Sequence, residues 1–176
     1  SLEEERVNHA RGFTWLYLQS DLRDGGVYEC PEQPWGSYEP QGLAAAITST
    51  YGYNGYFLSP PHTPGWAGQI RGRPWQSMER IPTTSAVLSF ADSMLVWDAE
   101  HIANSVLLDP PMLFSGNHRW SPNPSPTQSF RHNGRTIGVF VDGHAATTEP
   151  RAALQWPDQL VGSITRENEP YYVPDW

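Results

Sequence analysis

The sequence predicts an α+β domain, with an N-terminal helix packed on an antiparallel β-sheet and long Pro/Gly-rich loops. Three observations lead there. Near the start, Val7, Phe13, Leu16 and Tyr17 roughly follow helical spacing. Further on, Asn133-Gly134 and Asp142-Gly143 bracket one apolar run, and both dipeptides suit tight hairpin turns. Finally, 17 Pro and 15 Gly among 176 residues oppose long helices beyond the N-terminal region.

Taken in order, the helix is expected over Leu2 to about Leu22, with acidic residues in its first turn and a weak point at Gly12. Gly25-Gly26 ends it. Pro31 to Pro40 reads as a loop, and Leu43 to Ile47 as a short helix or turn. Thr48 to Leu58 reads as an irregular strand carrying Tyr51, Tyr53 and Tyr56, with a possible turn at Asn54-Gly55. Pro60 to Pro82 is expected to be a long loop, and loops of that length are uncommon unless they bind something or pack well.

Ala86 to Ala91 and Met94 to Ala99 are strand candidates separated at Asp92-Ser93, as hairpin arms or as one bent strand. Pro110 to Pro126 reads as a second loop. A three-stranded meander follows, with strands Thr127 to His132, Arg135 to Val141 and His144 to about Glu149. Tight turns pair His132 with Arg135 and Val141 with His144. Arg135, Ile137, Val139 and Val141 then share one face of the middle strand, while Thr136, Gly138 and Phe140 share the other. After Glu149 the polar, Pro-rich tail reads as a strap over the sheet or as disordered, and its aromatic residues favour the strap.

Composition bounds the chemistry. The length suits one domain spanning residues 1–176. No run approaches the roughly 20 apolar residues of a membrane helix. A single cysteine, Cys30, excludes an internal disulfide and any zinc site made of several thiolates. A formal charge of −8 argues against a nucleic-acid partner. All eleven basic residues are Arg, so lysine Schiff-base chemistry and a Walker-type phosphate loop are unavailable.

The candidate constellations weaken on inspection. His132 and Asp142 lie at opposite ends of a strand whose two turns are roughly 20 Å apart, too far for one metal ion. Asp142 and His144 remain a possible local pair. Asp92 and Asp142 both end strands and could meet as a calcium site if the strands are neighbours, but each is expected to order its own turn. No paired His is evident near Cys30 in sequence, and a lone cysteine is more often a small buried apolar residue. No Gly-x-Ser-x-Gly elbow is present. Neither a catalytic residue nor a metal or other cofactor is expected.

The spacing of His132, nine residues, then Asp142-Gly143 resembles the signature of the prepilin-type processing-associated H-x9-DG family of pilin-like and pseudopilin-like proteins. Cys30-Pro31 resembles its Cys-Pro element, Tyr51-Gly52-Tyr53-Asn54 its aromatic-Gly-Asn segment, and Ser89 to Asp92 its central strand ending in Asp. With Asn133, Gly134 and His144 these make up the expected family motif, structural rather than catalytic. The resemblance implies a pilin-like head and a non-enzymatic subunit acting in a type II secretion or type IV pilus-like assembly. Expected partners are other pilin-like subunits or secretion-system proteins, and the expected location is the cell envelope, periplasmic or extracellular. Family members begin with a basic leader and an apolar helix, whereas here Ser1 is followed by Leu2-Glu3-Glu4-Glu5. The chain therefore reads as a soluble piece whose membrane anchoring depends on an upstream helix.

Two other classes are carried beside it. One is a carbohydrate- or solute-binding module using Trp35, Trp66, Trp75, Trp97 or Trp120 as a platform. The other is a metal-dependent hydrolase using Asp92 and Asp142.

Overall fold

A computed structural model describes residues 30–33, 49–59, 77–114 and 120–173. The helix anticipated over Leu2 to Leu22 lies outside these residues, as do Trp35, Trp66, Trp75 and most of the loop from Pro60.

The hairpin signals sit at the centre of the fold. Strand β8 (Thr136–Phe140) alternates buried and exposed residues along its whole length, as a strand with one face on a core must. The two sets of side chains take opposite faces, as the sequence pattern predicts, and the structure turns Thr136, Gly138 and Phe140 inward and Ile137 and Val139 outward. Asn133 and Gly134 both take positive φ, 53° and 78°. Reciprocal bonds between the His132 and Arg135 backbones close this turn at 3.1 Å each, the two-residue geometry that Asn-Gly favours.

The second turn differs from expectation by one residue. Strand β9 (Ala145–Thr148) pairs Val139 with Ala145 and Thr136 with Thr148, which places Phe140, rather than Val141, opposite His144. The Phe140 N–H donates to His144 O and the Gly143 N–H to Phe140 O, both at 2.9 Å. Val141, Asp142 and Gly143 thus form a three-residue loop, with Gly143 at φ 92° supplying the left-handed residue such a loop needs.

The predicted meander is corrected too. The neighbours of β8 are β9 and β2 (Leu88–Asp92), and the four-stranded antiparallel sheet runs β1-β2-β8-β9, with β1 spanning Tyr51–Tyr53. The segment before the first turn leaves the sheet because Phe130 is fully buried in the core, its N–H bonded to Leu160 O. Its short strand β7 (Gln128–Ser129) pairs instead with β10 (Val161–Gly162).

Two ribbons occupy the crossover from β2 to β8. Strands β3 (Leu95–Val96) and β4 (Ile102–Ala103) form one, so Met94 to Ala99 is not a hairpin arm of β2. Strands β5 (Met112–Phe114) and β6 (Trp120–Pro122) form the other, placing strand pairing inside the segment expected to be a loop. Pro122 sits at the end of its ribbon, where a missing N–H is tolerated.

The α+β class is corrected to mainly β among the described residues. Their helical structure is one four-residue turn, α1 (Gly55–Leu58), and one 3₁₀ turn, Met78–Arg80. No described helix packs on the sheet. Its inner residues Leu88, Ala91 and Phe140 are covered by Leu108, Phe130, Ile164 and Tyr172. The tail is a packed strap: Tyr172 is fully buried, and Leu88 N–H donates to Tyr171 O at 2.7 Å. A second cluster joins Phe57, Ile81, Val87 and Val173. No described helix is long and apolar enough to cross a membrane.

Candidate functional site

Three side chains from distant segments, each held by its local backbone, meet at one point. Cys30 opens a β-turn whose Gln33 N–H donates to Cys30 O at 2.9 Å, with Pro31 at the second position that its fixed φ suits. The Cys30 N–H is anchored 20 residues away by Thr50 Oγ1, 2.7 Å. Asp92 ends β2 opposite Tyr51. His132 leads the Asn-Gly turn into β8. Cys30 Sγ lies 3.3 Å from His132 Nε2, and that nitrogen lies 3.3 Å from Asp92 Oδ2.

Cys30 and Asp92 are fully buried, whereas the His132 side chain retains 20% of its exposure. Asp92 Oδ2 also accepts the Ile137 N–H at 2.6 Å. Asp92 therefore does not order its own turn, as the sequence suggested, but ties β2 to β8. Its other oxygen, Oδ1, accepts no hydrogen bond, and Arg131 Nε stands 3.9 Å away. The Arg131 guanidinium donates to Thr50 O at 3.1 Å, to Ser93 O at 2.7 Å and to Gln33 Oε1. One cation thus joins the Cys30 turn, the segment before β1 and the end of β2.

Burial pushes the Cys30 thiol above its ordinary pKa, a stronger effect than the lowering by turn amides and Arg131. Tyr51 is pushed up to about 12, chiefly by burial and then by Cys30 and Asp92. A protonated, buried thiol is a poor nucleophile. The geometry is not that of a Cys-His-Asp relay either. Such a relay uses the two ring nitrogens for different partners, whereas here one nitrogen faces both sulfur and carboxylate.

The other motif positions hold the frame. Gly52 lets β1 approach residues 106–108 so closely that a Cβ there would stand 2.7 Å from the Leu107 carbonyl. Asn54 donates from Nδ2 to Leu88 O and Tyr172 O, both at 2.9 Å, joining β2 to the tail. Asp142 does order its own turn: His144 N–H donates to its Oδ1 at 3.1 Å, and His144 Nδ1 lies at 2.6 Å. That bond holds the Asp142 carboxyl below its ordinary pKa. Asp92 lies level with Ile137 and Asp142 lies beyond Phe140, so roughly 15 Å of strand separates the two carboxylates. They share no calcium or hydrolase site.

Sequence reasoning missed the meeting of Cys30 with His132 and the role of Arg131. The available signal was that Cys30, Asp92 and His132 all stand in the motif positions. No protein-family model, curated protein or solved structure matches the chain.

Proposed function

We propose that this chain is the extracytoplasmic part of a non-enzymatic subunit, akin to the prepilin-type H-x9-DG proteins, that acts in a type II secretion or type IV pilus-like assembly. One observation carries the reading. Cys30, Asp92 and His132, drawn from three separate motif segments with 102 positions between the first and the last, meet in a single cluster. Positions that share a structural task converge in this way, and unrelated chance matches scattered along a chain have no reason to. Gly52 and Asn54 add to it, since each serves a backbone junction of the same frame. The subunit's partners on this reading are other pilin-like or secretion-system proteins, reached in the cell envelope through an upstream membrane helix.

The experiment is fractionation and cross-linking of the protein expressed from its native gene with all upstream sequence. Recovery in the envelope fraction, cross-linked to itself or to a pilin-like subunit, is the expected result. A wholly cytosolic monomer would overturn the proposal.

A second reading, a carbohydrate- or solute-binding module, draws on the exposure of Trp97 and Trp120, 47% and 43%. They stand on different ribbons, at the end of β3 and on β6. Loss of polysaccharide retardation in both W97A and W120A would favour it, and retardation absent from the unaltered protein would remove it.

A further inference from the structure

The Cys30, Asp92 and His132 side chains each present one donor atom, and all three atoms lie within 4.8 Å of one another. A tetrahedral zinc ion bonds sulfur at about 2.3 Å and nitrogen or oxygen at about 2.0–2.1 Å. Those lengths hold sulfur and nitrogen about 3.6 Å apart, and nitrogen and oxygen about 3.3 Å apart. The observed separations are 3.3 Å and 3.3 Å. Two of the three edges come within about 0.3 Å of the zinc polyhedron before any side chain moves, and the third, from sulfur to the carboxylate oxygen, is no longer than 4.8 Å.

Hydrogen bonding alone accounts for the cluster less completely. A single N–H is directed best at one acceptor, yet His132 Nε2 faces sulfur and carboxylate at equal distance. The fully buried Asp92 keeps Oδ1, 3.9 Å from Arg131 Nε, without a hydrogen bond, although buried carboxylate oxygens are ordinarily satisfied. A cation at the centre would use the Nε2 lone pair, the sulfur and the carboxylate together.

We propose that Cys30, Asp92 and His132 bind one zinc-class divalent cation, which clamps the Cys30 turn to β2 and to the turn before β8. This departs from the expectation of no metal, and it stands apart from the assembly reading. The donor set of thiolate, imidazole and carboxylate suits zinc better than the all-oxygen cations calcium and magnesium. Water entering beside the partly exposed His132 ring would complete the coordination. The exposed pairs His101–Asp98 and His144–Asp142 offer two ligands each and are not such sites.

Thiolate and carboxylate together neutralise the dication, which leaves the site the one positive charge of Arg131, 3.9 Å from Asp92 Oδ1 and solvated by oxygens of Gln33, Thr50, Ser93 and Ser129. Asp92, Arg131, His132 and Tyr51 face the Cys30 thiol. A cysteine thiol is ordinarily protonated at neutral pH, and only the thiolate binds a metal ion. Binding therefore forms a sulfur–metal bond, breaks the S–H bond and releases that proton to solvent. Affinity rises with pH for the same reason.

The test uses the full chain, stripped with chelator and desalted, then titrated with cobalt(II). The expected result is a thiolate-to-cobalt charge-transfer band in the near ultraviolet that saturates at one ion per chain and is displaced by zinc. C30S should lose the band, H132N should weaken binding at least about tenfold, and H144N should leave it unchanged. Failure of the folded unaltered protein to develop the band would overturn the proposal. Undiminished affinity in H132N would overturn it too. Should C30S fail to fold, the unaltered protein and H132N decide. Fractionation tests the assembly reading separately, so failure of one leaves the other standing.

Discussion

Asp92 Oδ2 accepts the Ile137 N–H at 2.6 Å while standing 3.3 Å from His132 Nε2. One buried carboxylate thereby joins two strands and the turn between β7 and β8. Its replacement in D92A leaves the Ile137 amide without its acceptor and removes the carboxylate beside the buried Arg131. The expected loss is about 3–5 kcal/mol. Asp142 resembles it in sequence, as an Asp ending an apolar strand, but is solvent-facing, and its carboxylate bonds to His144 within its own turn. D142A should therefore cost a small fraction of the D92A loss. Urea unfolding of both variants checks the contrast, and equal losses would contradict it.

Cys30 is inaccessible, and its thiol is held in the neutral form by burial. In chelator-treated protein, alkylation at neutral pH should be far slower than for a small-molecule thiol. The rate should climb with urea in step with unfolding. Stopped reactions read by mass give the rates, and fast labelling of the folded protein would show the turn to be open.

G52A and G134A separate two demands on glycine. A methyl at Gly52 meets the Leu107 carbonyl at 2.7 Å and threatens the adjoining Tyr53–Val106 and Leu108–Tyr53 backbone bonds, so a loss of about 3 kcal/mol is expected. Gly134 has open space and only its φ of 78° to defend, so about 1 kcal/mol is expected. Chemical denaturation should rank them in that order.

Tyr172 sets an alkaline limit. Burial raises its pKa well above the ordinary 10.0, so the folded state keeps a proton that the unfolded chain releases. Its contribution is fully present below pH 10 and falls as pH rises toward the folded value, by about 1.4 kcal/mol per pH unit. Y172F loses the hydroxyl's bonds to Gln128 Oε1 and Ile164 N–H. It should be less stable at neutral pH by about 1–2 kcal/mol. Above pH 10 the gap should narrow, because phenylalanine has nothing to ionise. Unfolding curves on both sides of pH 10 measure this, and a constant gap would refute it.

The parts legible in the sequence are those decided within a few residues. Asn133-Gly134 dictates a two-residue turn because both positions need positive φ, and the alternation from Thr136 to Phe140 assigns each side chain its face. The Asp142-Gly143 signal located a turn but misjudged its length by one residue, since an x-Gly pair serves a two-residue loop and a three-residue bulged loop alike. Cys30, Asp92 and His132 were visible as separate motif positions and not as neighbours.

The sequence by itself determined the Asn133-Gly134 turn, the presence of a hairpin at Asp142-Gly143 and the alternation of side chains along β8, and it left Asp142 and His144 as a possible local pair. Tertiary structure decided that β2 takes the other edge of β8, that Phe130 leaves the sheet for the core, and that Asp92 closes on Cys30 and His132. The reason is physical. Turn dihedrals and strand alternation depend on adjacent residues, whereas the choice among competing strand partners depends on the burial summed over the whole chain.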